Sequence, residues 1–274
     1  MIFPQTARAG QIRNRAGTRH LNPWYALKNR GECHEQPTLY ETRHLNLAIF
    51  DLDHTLLAGD SDYLWGQFLI EQGLVERESY ERENERFYQE YRAGTLDIHE
   101  FLRFSLRPLA DHDLDRLLAL RQQFVRDKIL PIITPASRTL LRAHRDAGHY
   151  QLIITATNHF ITEPIAAELR VDDLIATDPE FKHGRFTGAV AGTPSFREGK
   201  VTRLRQWLVE HQKNLAHSWF YSDSHNDLPL LELVTYPVAV DADEALTQHA
   251  QMKGWPLLSL RGVTPLPRIP EFAR

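Results

Sequence analysis

The sequence predicts an α/β protein, a parallel sheet wrapped by helices, with an all-helical insertion after the first strand. Three observations carry this. Short apolar runs alternate with longer stretches of helical periodicity, the pattern that places helices on the faces of a parallel sheet. The run Leu47-Ala48-Ile49-Phe50 is continuously apolar, as expected of a strand buried on both faces. From Ser61 to about Leu130 no convincing strand interrupts helical spacings such as Leu64, Phe68 and Leu69, then Leu114, Leu117 and Leu118.

Taken in order, residues 1–45 hold seven Arg or Lys against three Glu, with scattered Pro, Gly and His and no period that could build an element. They are expected to be a disordered extension. The segment has no apolar core for secretion and no clean amphipathic face for organelle import, which favours an extended or misassigned start. Strands are expected at Leu45–Phe50, Tyr150–Thr155, Leu174–Thr177, His217–Tyr221 and Pro237–Val240, and helices at Glu163–Leu169, Val201–Gln212 and Glu244–Met252. His183-Gly184, between two short β-prone runs in Phe181–Gly192, reads as a hairpin turn. The expected organisation is a core of residues 46–60 and 131–262, a helical cap of 61–130, and a proline-bearing tail of 263–274.

Composition narrows the function classes. A chain of 274 residues with 42% hydrophobic and 25% charged residues has ordinary globular composition and is long enough for one domain plus an inserted one. The net charge of −4 provides no field to gather nucleic acid or anionic lipid, so neither is expected as a partner. The single cysteine, Cys33, excludes an intramolecular disulfide framework and multi-cysteine zinc sites, and no apolar run approaches the length of a membrane span. A cytoplasmic location is expected.

The chemistry-bearing residues stand where strands end. Strand 47–50 runs straight into Asp51 and Asp53, and α/β folds place ligands at such ends. Two carboxylates near one point allow one to attack phosphorus while the other handles the leaving group's proton. They also call for a cation, and Mg²⁺ suits an oxygen set of few carboxylates, a backbone carbonyl and waters. The second strong strand ends in Thr155-Ala156-Thr157-Asn158 ahead of a helix, either a phosphate cradle or an ordinary cap. In Phe196-Arg197-Glu198-Gly199-Lys200, a lysine opens a helix against the usual dipole preference, which points to a nearby anion. Finally Trp219-Phe220-Tyr221 leads into Ser222-Asp223-Ser224-His225-Asn226-Asp227, where Asp223 suits a metal and Asp227 a metal-bound water or Lys200.

These four elements resemble the signature motifs of the haloacid dehalogenase superfamily, in its phosphoserine-phosphatase-like branch with a helical cap of the C1 type, over residues 46 to about 260. The resemblance implies a Rossmann-like core and a magnesium-dependent phosphatase. It implies that Asp51 is the nucleophile that becomes an aspartyl phosphate and Asp53 the general acid and base. It further implies that Thr155, Lys200 and Asn226 bind phosphate, that Asp51, the Asp53 carbonyl and Asp223 ligate Mg²⁺, and that Asp227 supports the metal shell. Asp53 favours phosphatase chemistry over dehalogenation, since a phosphoester leaving group needs a proton and a halide does not.

Substrate choice should lie with the insertion, which would close over the site and exclude water. Asp60, Asp62, Tyr63 and Trp65 could hold a cationic ring or amine, or form only a cap and a core contact. Phe87, Tyr88, Tyr91, Phe101 and Phe104 could line the cap or pack inside it. Members of the branch acting on phosphoserine usually have Gly-Gly where this chain has Ala156-Thr157. The runs GDSDYLWGQF, IITATN and FYSDSHNDLPLLE are more similar to histidinol-phosphatase-like members. The expected substrate is a small phosphomonoester, L-histidinol phosphate first, with L-phosphoserine hydrolysis or phosphotransfer as alternatives. Oligomeric state cannot be read from these patterns.

Overall fold

The computed structural model describes residues 46–262. The expectations for residues 1–45 and for the tail beyond 262 fall outside these residues. Six parallel strands form one sheet, in the order β3-β2-β1-β6-β7-β8. The central strand β1 (Leu47–Phe50) is flanked by β2 (Tyr150–Asn158) and β6 (Trp219–Ser222), with Phe50 level with Ile153 and Tyr221. All four β1 residues are fully buried, which accounts for their unbroken apolar character.

Between β1 and β2 the chain makes α1 (Ser61–Glu71), α2 (Arg77–Arg92), α3 (Ile98–Asp111) and α4 (Leu114–Phe124), then a tight turn region and α5 (Pro135–Asp146). The first four helices start on an acidic N-cap, Asp60, Glu76, Asp97 and Asp113, each accepting backbone N–H bonds that the first helical turn leaves unpaired. No strand lies between 61 and 132, as the periodicity predicted.

After β2 come α6 (His159–Leu169), β3 (Asp173–Thr177) and the antiparallel pair β4 (Pro179–Lys182) and β5 (Arg185–Val190). His183 and Gly184 both adopt positive φ at the turn, the geometry that a two-residue hairpin needs. Gly188 of β5 is in close contact with α3, where an added Cβ would sit 3.4 Å from that of Ala110. The chain ends with α7 (Glu198–Glu210), β6, the short α8 (Leu228–Leu231), β7 (Tyr236–Val240), α9 (Glu244–Lys253) and the edge strand β8 (Leu257–Leu258).

Some boundaries differ from expectation for identifiable reasons. His217 has φ 54°, a left-handed conformation that cannot continue a strand, so β6 begins at Trp219 rather than His217. Helix α6 starts four residues before Glu163 despite Pro164. That proline cannot donate to the Phe160 carbonyl, and Arg121 donates to it instead at 2.9 Å. One layer of core lies between the sheet and α7 to α9, including Leu47, Ile49, Phe220, Leu204 and Leu246. Trp65, Phe68, Phe124 and Phe160 form an aromatic cluster joining α1 and α4 to α6. Among the described residues no helix is long and apolar enough to cross a membrane.

Candidate active site

The chain runs from β1 to β2 on one side and later returns to β6 on the other, so the carboxyl ends of β1 and β6 border the crevice where the strand order reverses. Such crevices are where open parallel sheets bind ligands. Beyond Phe50 the chain stays extended through Asp51, then reverses at His54, which has φ 53°. The loop is pinned by the His54 N–H on the Gly59 carbonyl at 2.9 Å and the Leu57 N–H on the Leu52 carbonyl at 3.0 Å. Two carboxylates one residue apart are thereby sent in different directions.

Asp51 is 6% exposed and accepts from Lys200 Nζ at 2.8 Å. Lys200 donates equally to Asp227, again at 2.8 Å, and Ser222 donates to the same Asp227 oxygen at 2.7 Å. This answers the question raised by a lysine in the first turn of a helix: it pairs with two buried carboxylates. Those carboxylates hold its ammonium well above the ordinary lysine range, outweighing the opposing effect of burial.

Thr55 joins the ends of β1 and β6. Its hydroxyl reaches Asp223 at 3.1 Å and Asp51 at 3.4 Å, and accepts from the Asp223 N–H at 3.0 Å. Asp223 has no cationic partner among the described residues, and burial with the charges of Asp51 and Asp227 raises it well above the usual carboxylate range. Burial also pushes Asp51 up to about 6, against the pull of Lys200. Three buried carboxylates thus share one ammonium, a surplus of negative charge that a divalent cation would balance. No cluster of three or more His, Cys, Asp or Glu that could hold a metal occurs among the described residues. Asp51 and Asp223, both on Thr55, would suit an ion that takes one or two carboxylates and completes its shell with a carbonyl and waters, as Mg²⁺ does.

Asp53 faces the other way. It accepts from the Ser61 N–H at the start of α1 and from Thr157 Oγ1, each at 2.7 Å, while Thr155 Oγ1 lies farther off at 3.4 Å. Burial and the neighbouring Asp60 charge raise its pKa. Thr155 is buried and accepts the Thr157 N–H at 3.2 Å, and Asn158 caps α6 through the Ile161 N–H at 3.3 Å. Asn158 thus forms the cap expected at this strand end, while the two threonines face Asp53.

A scan against family models matches residues 48–232 to the haloacid dehalogenase-like hydrolases, a span that contains every residue described above. The chain belongs to this family. A histidinol-phosphatase of Neisseria meningitidis is 46% identical over 220 residues, 79% of this chain and 99% of its own. A phosphoserine phosphatase of Mycobacterium tuberculosis is 29% identical over 222 residues, 78% of this chain and 70% of its own. Among solved structures, a protein of unknown function from Bordetella pertussis superposes with TM-score 0.75 at 45% identity, covering 79% of this chain and 99% of that one. A substrate-bound phosphoserine phosphatase gives TM-score 0.60 at 18% identity, covering 78% and 92%, which supports the fold alone. This haloacid dehalogenase-like hydrolase is a phosphatase.

In the hydrolase the two sets of carboxylates open onto one cavity, whose floor includes Asp51, Asp53, Lys200 and Asn226 and whose roof comes from α1 to α3. Asp62, Tyr63, Tyr88 and Tyr91 line it, whereas Trp65 is fully buried in the aromatic cluster. Asp60 both caps α1, through the N–H groups of Asp62 and Tyr63, and borders the cavity. Phe87 and Phe101 line it while also packing edge to face on each other.

Two residues escaped sequence reasoning. Thr55 occupies the last position of the Asp51-Leu52-Asp53-His54-Thr55 pattern, where its type was a signal without a role. Arg197 precedes α7 in a strained conformation, φ 48° and ψ −121°. It donates to Asn226 Oδ1 at 2.9 Å and to the Gly94 carbonyl between α2 and α3. Asn226, expected at the phosphate, is thus oriented by an arginine that also grips the helical segment.

Proposed function

We propose that the chain is a magnesium-dependent phosphomonoesterase that acts through an aspartyl phosphate on Asp51, with L-histidinol phosphate as substrate. The observation that carries the chemistry is the Asp51–Lys200 pair at the mouth of β1, with Asp53 separately held on the same cavity. Lys200 favours the ionised form of Asp51 despite burial, as a nucleophile requires, while burial and the Asp60 charge raise the pKa of Asp53, the direction a proton donor requires. Asp51 Oδ attacks phosphorus, the bond to the ester oxygen breaks, and Asp53 protonates the departing alcohol. Water then attacks the phosphorus of the acyl phosphate, giving its proton to Asp53 and releasing phosphate and free Asp51.

Mg²⁺ would be held by Asp51, Asp223 and the Asp53 carbonyl, with Asp227 supporting its waters, and when bound it neutralises the transferring phosphoryl oxygens. Lys200, Thr155 and Asn226 bind the phosphoryl oxygens in this reading. The helical roof, residues 61–130 as a cap over the core, excludes water and selects the alcohol.

The substrate reading is supported by the 46% identical histidinol-phosphatase and by the acidic, aromatic wall of Asp60, Asp62, Tyr63 and Tyr88. Asp62 accepts from the Asn158 amide at 3.4 Å but has no cationic partner among the described residues, and burial raises it well above the carboxylate range, so an ammonium or imidazolium of the substrate would meet an acid without a counter-charge. Phosphoserine fits less well, because Thr157, in the stretch where phosphoserine-specific members have Gly-Gly, here grips Asp53. The reading places the protein in the cytoplasm, in amino-acid biosynthesis.

The test is phosphate release from a panel holding L-histidinol phosphate and L-phosphoserine, with Mg²⁺ or EDTA, for wild type and Asp51→Asn. Preference for L-histidinol phosphate, lost on chelation and on substitution, is expected. Activity that survives Asp51→Asn would remove the nucleophile, and transfer of phosphate to added alcohols in place of water would make the chain a phosphotransferase.

A further inference from the structure

Helix α2 presents Tyr80, Asn84, Phe87 and Tyr91 along one face, at spacings of three and four residues. Three are aromatic, as a packing face should be. Asn84 is not, yet it is only 7% exposed, and its amide N–H group has no hydrogen-bond partner. Buried amides are normally satisfied, because leaving one unpaired forfeits its hydration with nothing in return. This one lines the active-site cavity.

The surroundings explain why no protein group serves it. Opposite stands Gly66 of α1, where an added Cβ would lie 3.4 Å from Asn84 Nδ2 and 2.7 Å from Tyr80 Cε1. Glycine is thus imposed by the tyrosine ring and offers the amide no side chain. One turn earlier on α1 is Asp62, whose charge reaches the Tyr80 hydroxyl. Asn84 and Asp62 therefore both stand on the wall that α1 and α2 give the cavity. An amide terminus rotates readily about its last torsion, so it can offer either a donor or an acceptor to a bound molecule.

We propose that Asn84 is a specificity residue that reads a hydrogen-bonding ring edge on the leaving group, next to the cationic group held by Asp62. The ligand class is an amino-alcohol phosphate bearing a heteroaromatic ring, of which an imidazole is the case at hand. This rests on the substrate reading above and adds to it: an acid alone selects for positive charge, whereas a neutral amide separates an imidazole from a phenyl ring of similar shape. Rejection follows from the amide being left unpaired against the wrong ring.

The experiment compares kcat/KM for L-histidinol phosphate and for the phosphate ester of L-phenylalaninol, which keeps the amine and replaces imidazole by phenyl, in wild type, Asn84→Leu and Asn84→Ala. Wild type is expected to favour the imidazole ester, and both variants to lower that ratio by roughly ten-fold through KM, the loss of one hydrogen bond. Thermal melts identify any variant that fails to fold, and the wild-type ratio stands without variants. A wild type that hydrolyses both esters alike, or variants that lose both in parallel, would overturn the role of Asn84 while leaving the phosphatase reading intact. Wild-type preference for an ester without ring or amine would overturn the substrate reading and this inference together.

Discussion

Replacing Asp51 by asparagine is expected to stabilise the metal-free protein while abolishing phosphate release. Burial raises the Asp51 carboxyl from 3.8 to about 6, with Asp227 and Asp53 adding to the effect and Lys200 opposing it. A rise of about two units, at about 1.4 kcal/mol each, means that ionised Asp51 costs the fold about 3 kcal/mol. The folded state keeps this proton to higher pH than the unfolded chain, so stability falls as pH rises from 3.8 to about 6 and stays lowered above it. Asparagine carries no charge to pay for. The variant should therefore exceed wild type by up to about 3 kcal/mol at pH 7.5, and by less than about 1 kcal/mol at pH 4. At about 2–4 °C per kcal/mol for a domain of this size, the expected rise in Tm at pH 7.5 is up to about 6–12 °C. Thermal melts in EDTA at both pH values measure it, and Mg²⁺ should raise the wild-type Tm and narrow the gap. No gain at pH 7.5, or an equal gain at pH 4, would show that burial of Asp51 does not outweigh its pairing with Lys200.

Other substitutions probe the supports around it. In Gly199→Ala the new Cβ would lie 2.1 Å from the Pro194 carbonyl oxygen, a backbone atom that cannot step aside, so the turn carrying Lys200 must shift. We expect a loss of about 3 kcal/mol or more in denaturant unfolding together with loss of turnover, and a stable, active variant would contradict the close approach. Thr55→Val removes the hydroxyl that pairs with both the N–H and the carboxylate of Asp223. Mg²⁺ affinity, read by calorimetry, should drop by about 10–100-fold, and an unchanged affinity would separate Thr55 from the metal site. Arg197→Ala frees Asn226 and the Gly94 carbonyl. KM for the phosphoester should rise by about ten-fold without rescue in Arg197→Lys, because one ammonium cannot reproduce the guanidinium's two directions, and full rescue by lysine would reduce the role to charge alone.

Much of this protein was legible because its signals are local. The strand β1 reads as buried from four consecutive apolar residues, and the acids after β1 and β6 stand at strand ends whatever the sheet order. The helical insertion follows from periodicity over some seventy residues, and the β4–β5 turn from His183-Gly184, where a positive φ is tolerated. Even the charge logic of Lys200 is local, since a cation in a first helical turn needs an anion in reach.

Other features depend on which segments meet. Thr155 and Thr157 share one face of β2, two residues apart, so spacing alone does not say which of them meets Asp53. The packing of α1 does, placing the Asp53 oxygen 2.7 Å from Thr157 and 3.4 Å from Thr155. Asp62 and Trp65 both stood as candidates for substrate contact. The aromatic cluster with Phe68, Phe124 and Phe160 takes Trp65 into the core and leaves Asp62 on the cavity. The reach of Arg197 to Gly94 spans 103 positions and has no local trace. Asn84 within Tyr80–Tyr91 looks like an ordinary polar interruption until Gly66 is found opposite it. The sequence by itself thus determined the elements and the acids and lysine that stand at their ends, because these depend on residue type and spacing. Tertiary structure decided the partners of each polar group and the shape of the leaving-group wall, because those depend on distances between segments that the chain brings together only on folding.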